Sequence, residues 1–164
     1  MPAAMSMLVI RADEIRELLP MSECIEVMDR AMRAFSAGGV RAPSRIIAPL
    51  AGDSGYFILM PGELQEPPVY GAKIVGLHPG NPARGRPAVQ GFVTLFDHGT
   101  GAPVALHIAG EIGEVLLGTA PGRQDAEQIT LYKSLGIVAQ DLFAAAHILD
   151  MARKTGTGML VEFP

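Results

Sequence analysis

The apolar residues of this chain follow two rhythms: alternation with polar or small residues along most of its length, and helical spacing near its start and its end. "MLVI" at 7–10 reads as a short strand. The helix expected after it, about 12–19, turns Ile15, Leu18 and Leu19 inward and stops at Pro20. Ser22 can cap a second helix through about Ser36, with Ile25, Met28, Met32 and Phe35 as its inner stripe and Gly38-Gly39 as its end. The runs "SRIIAPL" (44–50), "GYFILMP" (55–61), "YGAKIVGL" (70–77), "GFVTLFD" (91–97) and "PVALH" (103–107) read as strands, the last two meeting across the "HGTG" turn. "IAGEIGEVLLG" (108–118) reads as a helix, and "TAPGRQDAEQ" (119–128) as a turn-rich connector. A long helix is expected from about Ser134 to Lys154, with Leu135, Val138, Leu142 and Leu149 on its apolar stripe and Gly156 as its stop, before a last strand, "MLVEF" (159–163). Strands bracketed by helices predict an α+β domain with a mixed β-sheet and flanking helices.

Composition narrows the class. At 164 residues the chain is expected to be one domain, and 49% hydrophobic with 18% charged residues fits a folded globular protein. No apolar run reaches the roughly 18 residues of a membrane span, and "MPAAMSMLVIRADE" lacks a signal peptide's basic start and apolar core, so the expected place is the cytoplasm, without a membrane partner. Net charge −4 speaks against nucleic acid as a partner. Residues 41–86 nonetheless hold five Lys or Arg against three Asp or Glu, a local excess suited to a small anion. The single cysteine, Cys24, is read as helix packing, and His98, His107 and His147 form no metal spacing with a carboxylate cluster, so no metal is expected.

One residue breaks the pattern. In the strand near 70–77, period two puts Lys73 on the same face as Gly71, Val75 and Leu77, where an ammonium ion is costly unless an anion meets it. Two answers are open: a lysine that snorkels from an edge strand or pairs with a structural carboxylate, or one that meets a ligand's carboxylate or relays a proton. His78, in the turn after that strand, is either satisfied by backbone or within reach of a ligand. Arg41, Arg84 and Arg86 read as solvated loop residues.

Several blocks resemble a known family. "LVIRADEIRELLPMSECIEVMDRAMRAFSAGGVRAPSR", "FILMPG", "YGAKIVGLHPGNPARGRPAVQGFVTLFDHGTGAPVAL" and "EIGEVLLGTAPGR", followed by "EQITLYKSLGIVAQDLFAAA", are similar in order to the ornithine cyclodeaminase and μ-crystallin family. The resemblance covers nearly the whole chain. It implies a homodimeric NAD- or NADP-linked oxidoreductase acting on amino acids, imino acids or cyclic ketimines. It also implies a dimerising, substrate-binding α+β domain made from both chain ends, its sheets joined across the dimer, with a dinucleotide-binding Rossmann domain inserted between them. The insertion is missing here. Residues 1–106 and 108–164 resemble the two parts of the dimerisation domain, joined directly near His107, and neither "GTG" (99–101) nor "GTG" (156–158) is a G-x-G-x-x-G turn opening a helix. A Rossmann domain removed from the chain and a natural relative without one both remain open.

Residue by residue, the resemblance assigns Arg45 in "PSRI" and Lys73 in "GAKIV" to a basic pair facing the substrate, with Met60, His78, Ser134 and Leu135 around the pocket. Arg clasps a carboxylate with two parallel N–H bonds, and Lys adds a point charge or donates a proton, which makes Lys73 the catalytic candidate if a cofactor domain is present. Lys133, Ser134 and Leu135 would open the long helix, whose terminal N–H groups either hold an anion or are simply capped. Ile58 stands where ornithine-type members carry a glutamate, which weakens ornithine against an imine, ketimine or amino-acid substrate. The functional expectation is a dimerisation and substrate-binding domain, inactive alone and holding no cofactor of its own. The alternative is an active ketimine reductase, amino-acid dehydrogenase or cyclodeaminase whose cofactor domain comes from another chain, or cofactor-free lysine chemistry.

Overall fold

A computed structural model describes residues 5–109 and 137–163. Strand β1 (Met5–Ile10) leads through helices α1 (Ala12–Leu18) and α2 (Met21–Ser36) to two short strands, β2 (Val40–Arg41) and β3 (Ile46–Pro49). Four longer strands follow: β4 (Tyr56–Leu64), β5 (Val69–Leu77), β6 (Val89–Asp97) and β7 (Pro103–Ala109). Helix α3 (Val138–Thr155) and strand β8 (Met159–Phe163) complete the described chain. The strands form one sheet in the order β2-β4-β5-β6-β7-β1-β8, with β3 also pairing β4. The β1–β7 pairing is parallel and the other pairings are antiparallel, so the sheet is mixed and the domain α+β.

Local chemistry explains most boundaries. α2 ends at Gly38 and α3 at Gly156, both with positive φ that an L side chain resists. The turn between β6 and β7 is held by Asp97, whose Oδ1 accepts from both the amide and the hydroxyl of Thr100 at 2.8 and 2.7 Å. These bonds hold the Asp97 carboxyl below its usual range.

Four expectations change. Ser22 lies inside α2, and Pro20 occupies its N-cap. The buried face of α2 is Val27 and Ala31; of the expected stripe, Met28 and Met32 are half-buried and Ile25 and Phe35 are exposed, because small side chains let α2 approach α3 closely. Ile108 and Ala109 extend β7 instead of opening a helix, because they pair with Phe92 and Gly91 of β6. The remainder of the helix expected at 108–118, and the connector after it, lie outside the described residues. α3 begins at Val138 behind an extended Ile137, later than the start expected at Ser134.

α3 lies across β4 to β7, where Leu142, Ala139, Ala145 and Leu149 join Leu64, Val93, Leu95 and Ala105 in the main core. A second cluster, Ile10, Leu18, Ile148 and Ala152, seats α1 against α3 and β1. His147 of α3 meets Glu23 of α2 at 3.0 Å. No described element covers the opposite face of the sheet. Strand register builds an apolar row there, Ile46, Leu59, Ile74, Phe92 and Ile108, across five adjacent strands, with Ile46 and Ile108 exposed at its ends.

Candidate active site

Lys73 sits at the centre of β5, flanked by β4 and β6, so it does not snorkel from an edge. Its neighbours in register are Met60 on β4 and Val93 on β6, and the row continues to His107 on β7 and Ile10 on β1. Side chains opposite one another in a ladder share a face, and this row faces α3. Two glycines bring the helix down onto it. A Cβ on Gly62 would stand 2.7 Å from Val138 Cγ1 and 2.9 Å from Leu142 Cδ1, and one on Gly71 would stand 3.2 Å from Leu142 Cδ2. Asp141, on the turn between Val138 and Leu142, accepts a hydrogen bond from Lys73 Nζ at 2.8 Å.

That ion pair is half-open. The Lys73 side chain is 32% exposed and that of Asp141 19%, so neither is fully sealed beneath α3. The first turn of α3 is also where the helix dipole favours a carboxylate. Of the two readings of Lys73, the structural carboxylate is present, and the exposed remainder of the ammonium is still available to a ligand.

The other candidates spread out. Arg45 immediately precedes β3, whose first bridge joins Ile46 to Leu59, so Arg45 falls next to the row of Met60 and Lys73. It is exposed. Met60 is partly buried against the main core. His78 lies beyond the end of β5, five residues from Lys73 and thus about 16 Å along the strand. Its amide donates to the Ala88 carbonyl at 2.7 Å, and its carbonyl accepts from Asn81. Ser134 and Leu135 lie outside the described residues. Arg41 pairs with Glu63 at 3.6 Å, and Arg84 and Arg86 are exposed in the loop before β6. An open groove of about 340 Å³, lined in part by Arg41, Pro61, Glu63, Tyr70 and His98, lies at the far end of β4 and β5 and contains none of Arg45, Met60 and Lys73. Among the described residues no group of three or more His, Cys, Asp or Glu gathers to hold a metal ion.

Sequence reasoning missed two residues. Asp141 is 68 positions from Lys73, and only helix packing unites them. His107 is 3% exposed, with neither ring nitrogen hydrogen-bonded among the described residues. Burial pushes its imidazole down to about 4. Nothing in "PVALHIA" marks that histidine as a core residue except the alternation that places it on the face of Ala105, the face buried under α3.

Comparison with known proteins gives this geometry its context. The chain matches the Ornithine cyclodeaminase/mu-crystallin family over residues 5–109 and again over 106–156. A Delta(1)-pyrroline-2-carboxylate reductase of Bacillus cereus is 37% identical over 100 residues, covering 61% of this chain and 31% of that protein. An alanine dehydrogenase of Archaeoglobus fulgidus is 30% identical over 118 residues, 72% of this chain and 35% of the relative. Among solved structures, the Delta(1)-pyrroline-2-carboxylate reductase of Thermococcus litoralis in complex with NADH and L-proline superposes with a TM-score of 0.59 at 31% identity, over 68% of this chain and 33% of that one. The chain thus spans about a third of the length of these relatives. With the family matched over most of its residues and its α+β sheet shared with family enzymes, this chain belongs to the ornithine cyclodeaminase/mu-crystallin family.

Proposed function

We propose that this chain is the dimerisation and substrate-binding part of an NAD(P)-dependent oxidoreductase for small amino or imino acids, and that alone it binds such acids without hydride transfer. Residues 1–106 and 108–164 are its two halves, meeting near His107 at the place where a nucleotide domain would enter. The observation that carries the reading is the partly exposed Lys73 side chain, with Met60 beside it in register and Arg45 just ahead of β3, in a relative of enzymes named for pyrroline-2-carboxylate and alanine. Lys73 and Arg45 supply charge-assisted hydrogen bonds to a carboxylate. L-Proline is the test ligand. Its titration should move Lys73 signals in NMR spectra with an affinity on the order of millimolar. In Lys73→Ala the shifts should vanish, and unchanged binding would remove the site.

The described residues do not fit a dinucleotide. Such a ligand needs a glycine-rich turn that opens a helix after a strand, and the junction of β1 with α1 runs Ile10-Arg11-Ala12 with Arg11 as the N-cap. Calorimetry with NADH and NADPH is expected to give no saturable heat. Saturable binding, or oxidation of either nucleotide that depends on an added cyclic imine, would favour an active enzyme over a binding module.

The bare sheet face supports a homodimer. Ile46, Leu59, Ile74, Phe92 and Ile108 make a row that a second copy of the same face can cover. Sedimentation at micromolar concentration should show the dimer mass, and Ile74→Asp should yield monomers; a wild-type monomer defeats the proposal. No helix among the described residues is long and apolar enough to cross a membrane. The cytoplasm is the compartment we assign.

A further inference from the structure

We propose that Asp141 and Lys73 act as one dipolar recognition pair that selects an α-amino or α-imino acid over a plain carboxylate. The inference rests on the reading that Lys73 receives a ligand's carboxylate, and it assigns the second half of the ligand to a residue on α3.

An ammonium carries three N–H donors, and Lys73 commits one of them to Asp141 Oδ1 at 2.8 Å. A carboxylate carries two acceptor oxygens, and the second oxygen of Asp141 makes no hydrogen bond among the described residues. Both side chains keep some exposure, 32% and 19%. The result is a cation and an anion in contact, each with free hydrogen-bonding capacity.

Such a pair is close to neutral as a whole. A simple carboxylate that approaches Lys73 meets the repulsion of Asp141, which offsets much of the attraction. A ligand with a carboxylate and a protonated nitrogen on the same carbon meets the opposite sign at both ends. The carboxylate goes to the free N–H groups of Lys73, and the nitrogen donates to the second oxygen of Asp141. The pair also has a structural reason to stay together. Gly62 and Gly71 seat α3 against the sheet, which sets Asp141 Oδ1 2.8 Å from Lys73 Nζ.

The test compares L-proline with cyclopentanecarboxylate, a ring of the same size without the charged nitrogen, by NMR titration of the full chain read at Lys73. Wild type is expected to bind proline about fivefold tighter. In Asp141→Asn, which keeps shape but not charge, the preference should disappear or reverse, because cyclopentanecarboxylate gains while proline loses. Asp141→Glu should restore it. A merely structural role would shift both affinities together and leave their ratio alone. An equal preference in wild type and Asp141→Asn, or a wild type that favours cyclopentanecarboxylate, overturns the proposal while leaving the Lys73 site standing. If neither ligand moves Lys73 in wild type, the site itself is wrong and this inference falls with it.

Discussion

Between neutral pH and about pH 4, His107 alone should cost this protein about 3 kcal/mol of folding stability, and His107→Met should abolish that loss. The imidazole lies under the helix layer with 3% exposure and, among the described residues, no hydrogen-bond partner at either nitrogen. Desolvation lowers its folded value from 6.5 to about 4. The sign follows from proton counting. Above 6.5 both states are neutral and pH has no effect through this group. Below it the unfolded chain binds a proton that the folded chain refuses, so stability falls until the folded imidazole also titrates, near 4. Urea unfolding of both proteins across this window is the measurement. Parallel stability curves would show that His107 is hydrated or paired. The methionine variant should also be more stable at neutral pH, by about 1–3 kcal/mol, since it no longer buries two unsatisfied nitrogens. Below about pH 4 both proteins lose stability again, as Asp13, Asp29 and Asp97, whose carboxyls are held below their usual range, become protonated.

Gly71→Ala is expected to destabilise the fold by about 3 kcal/mol or more, the largest effect of any single methyl added to the sheet. Its Cβ would collide with the Thr94 carbonyl oxygen and sit 3.1 Å from that carbonyl carbon and 3.2 Å from Leu142 Cδ2. Thr94 is ladder backbone on β6 and cannot swing aside, so the strand or the helix has to move. Gly62→Ala meets only side-chain ends, Val138 Cγ1 and Leu142 Cδ1, and should cost less, about 1–2 kcal/mol. Pairing Gly62→Ala with Leu142→Ala should recover part of that loss, because the truncated leucine vacates the space; an additive cycle would show that the two do not touch. The same lift of α3 should separate Asp141 from Lys73. Loss of stability with unchanged Lys73 signals would mean that the seam survives the added methyl.

The existence of strands β4, β5 and β6, the helix stops at Gly38 and Gly156, the turn at Asp97 to Gly101 and the odd placement of Lys73 were all legible in the residues, though the strands run further than the nearest turn signals implied. Each depends on local chemistry: period-two alternation, the need for positive φ, or the cost of an ammonium among apolar neighbours. The family was legible too, through the order of its motifs. Tertiary structure decided what depends on which surfaces meet. α2 offers one stripe through Val27 and Ala31 and another through Ile25 and Phe35, both with helical spacing, and only the close approach of α3 selects the smaller one. Ile108 and Ala109 carry no local strand signal beyond their apolar character, and become strand because β6 offers them unpaired partners. His107 is buried because β7 lies inside the sheet between β6 and β1, which alternation within one strand does not reveal. Asp141 reaches Lys73 because Gly62 and Gly71 have no side chains to hold the helix away, a coincidence of three separate elements that no single stretch of sequence encodes.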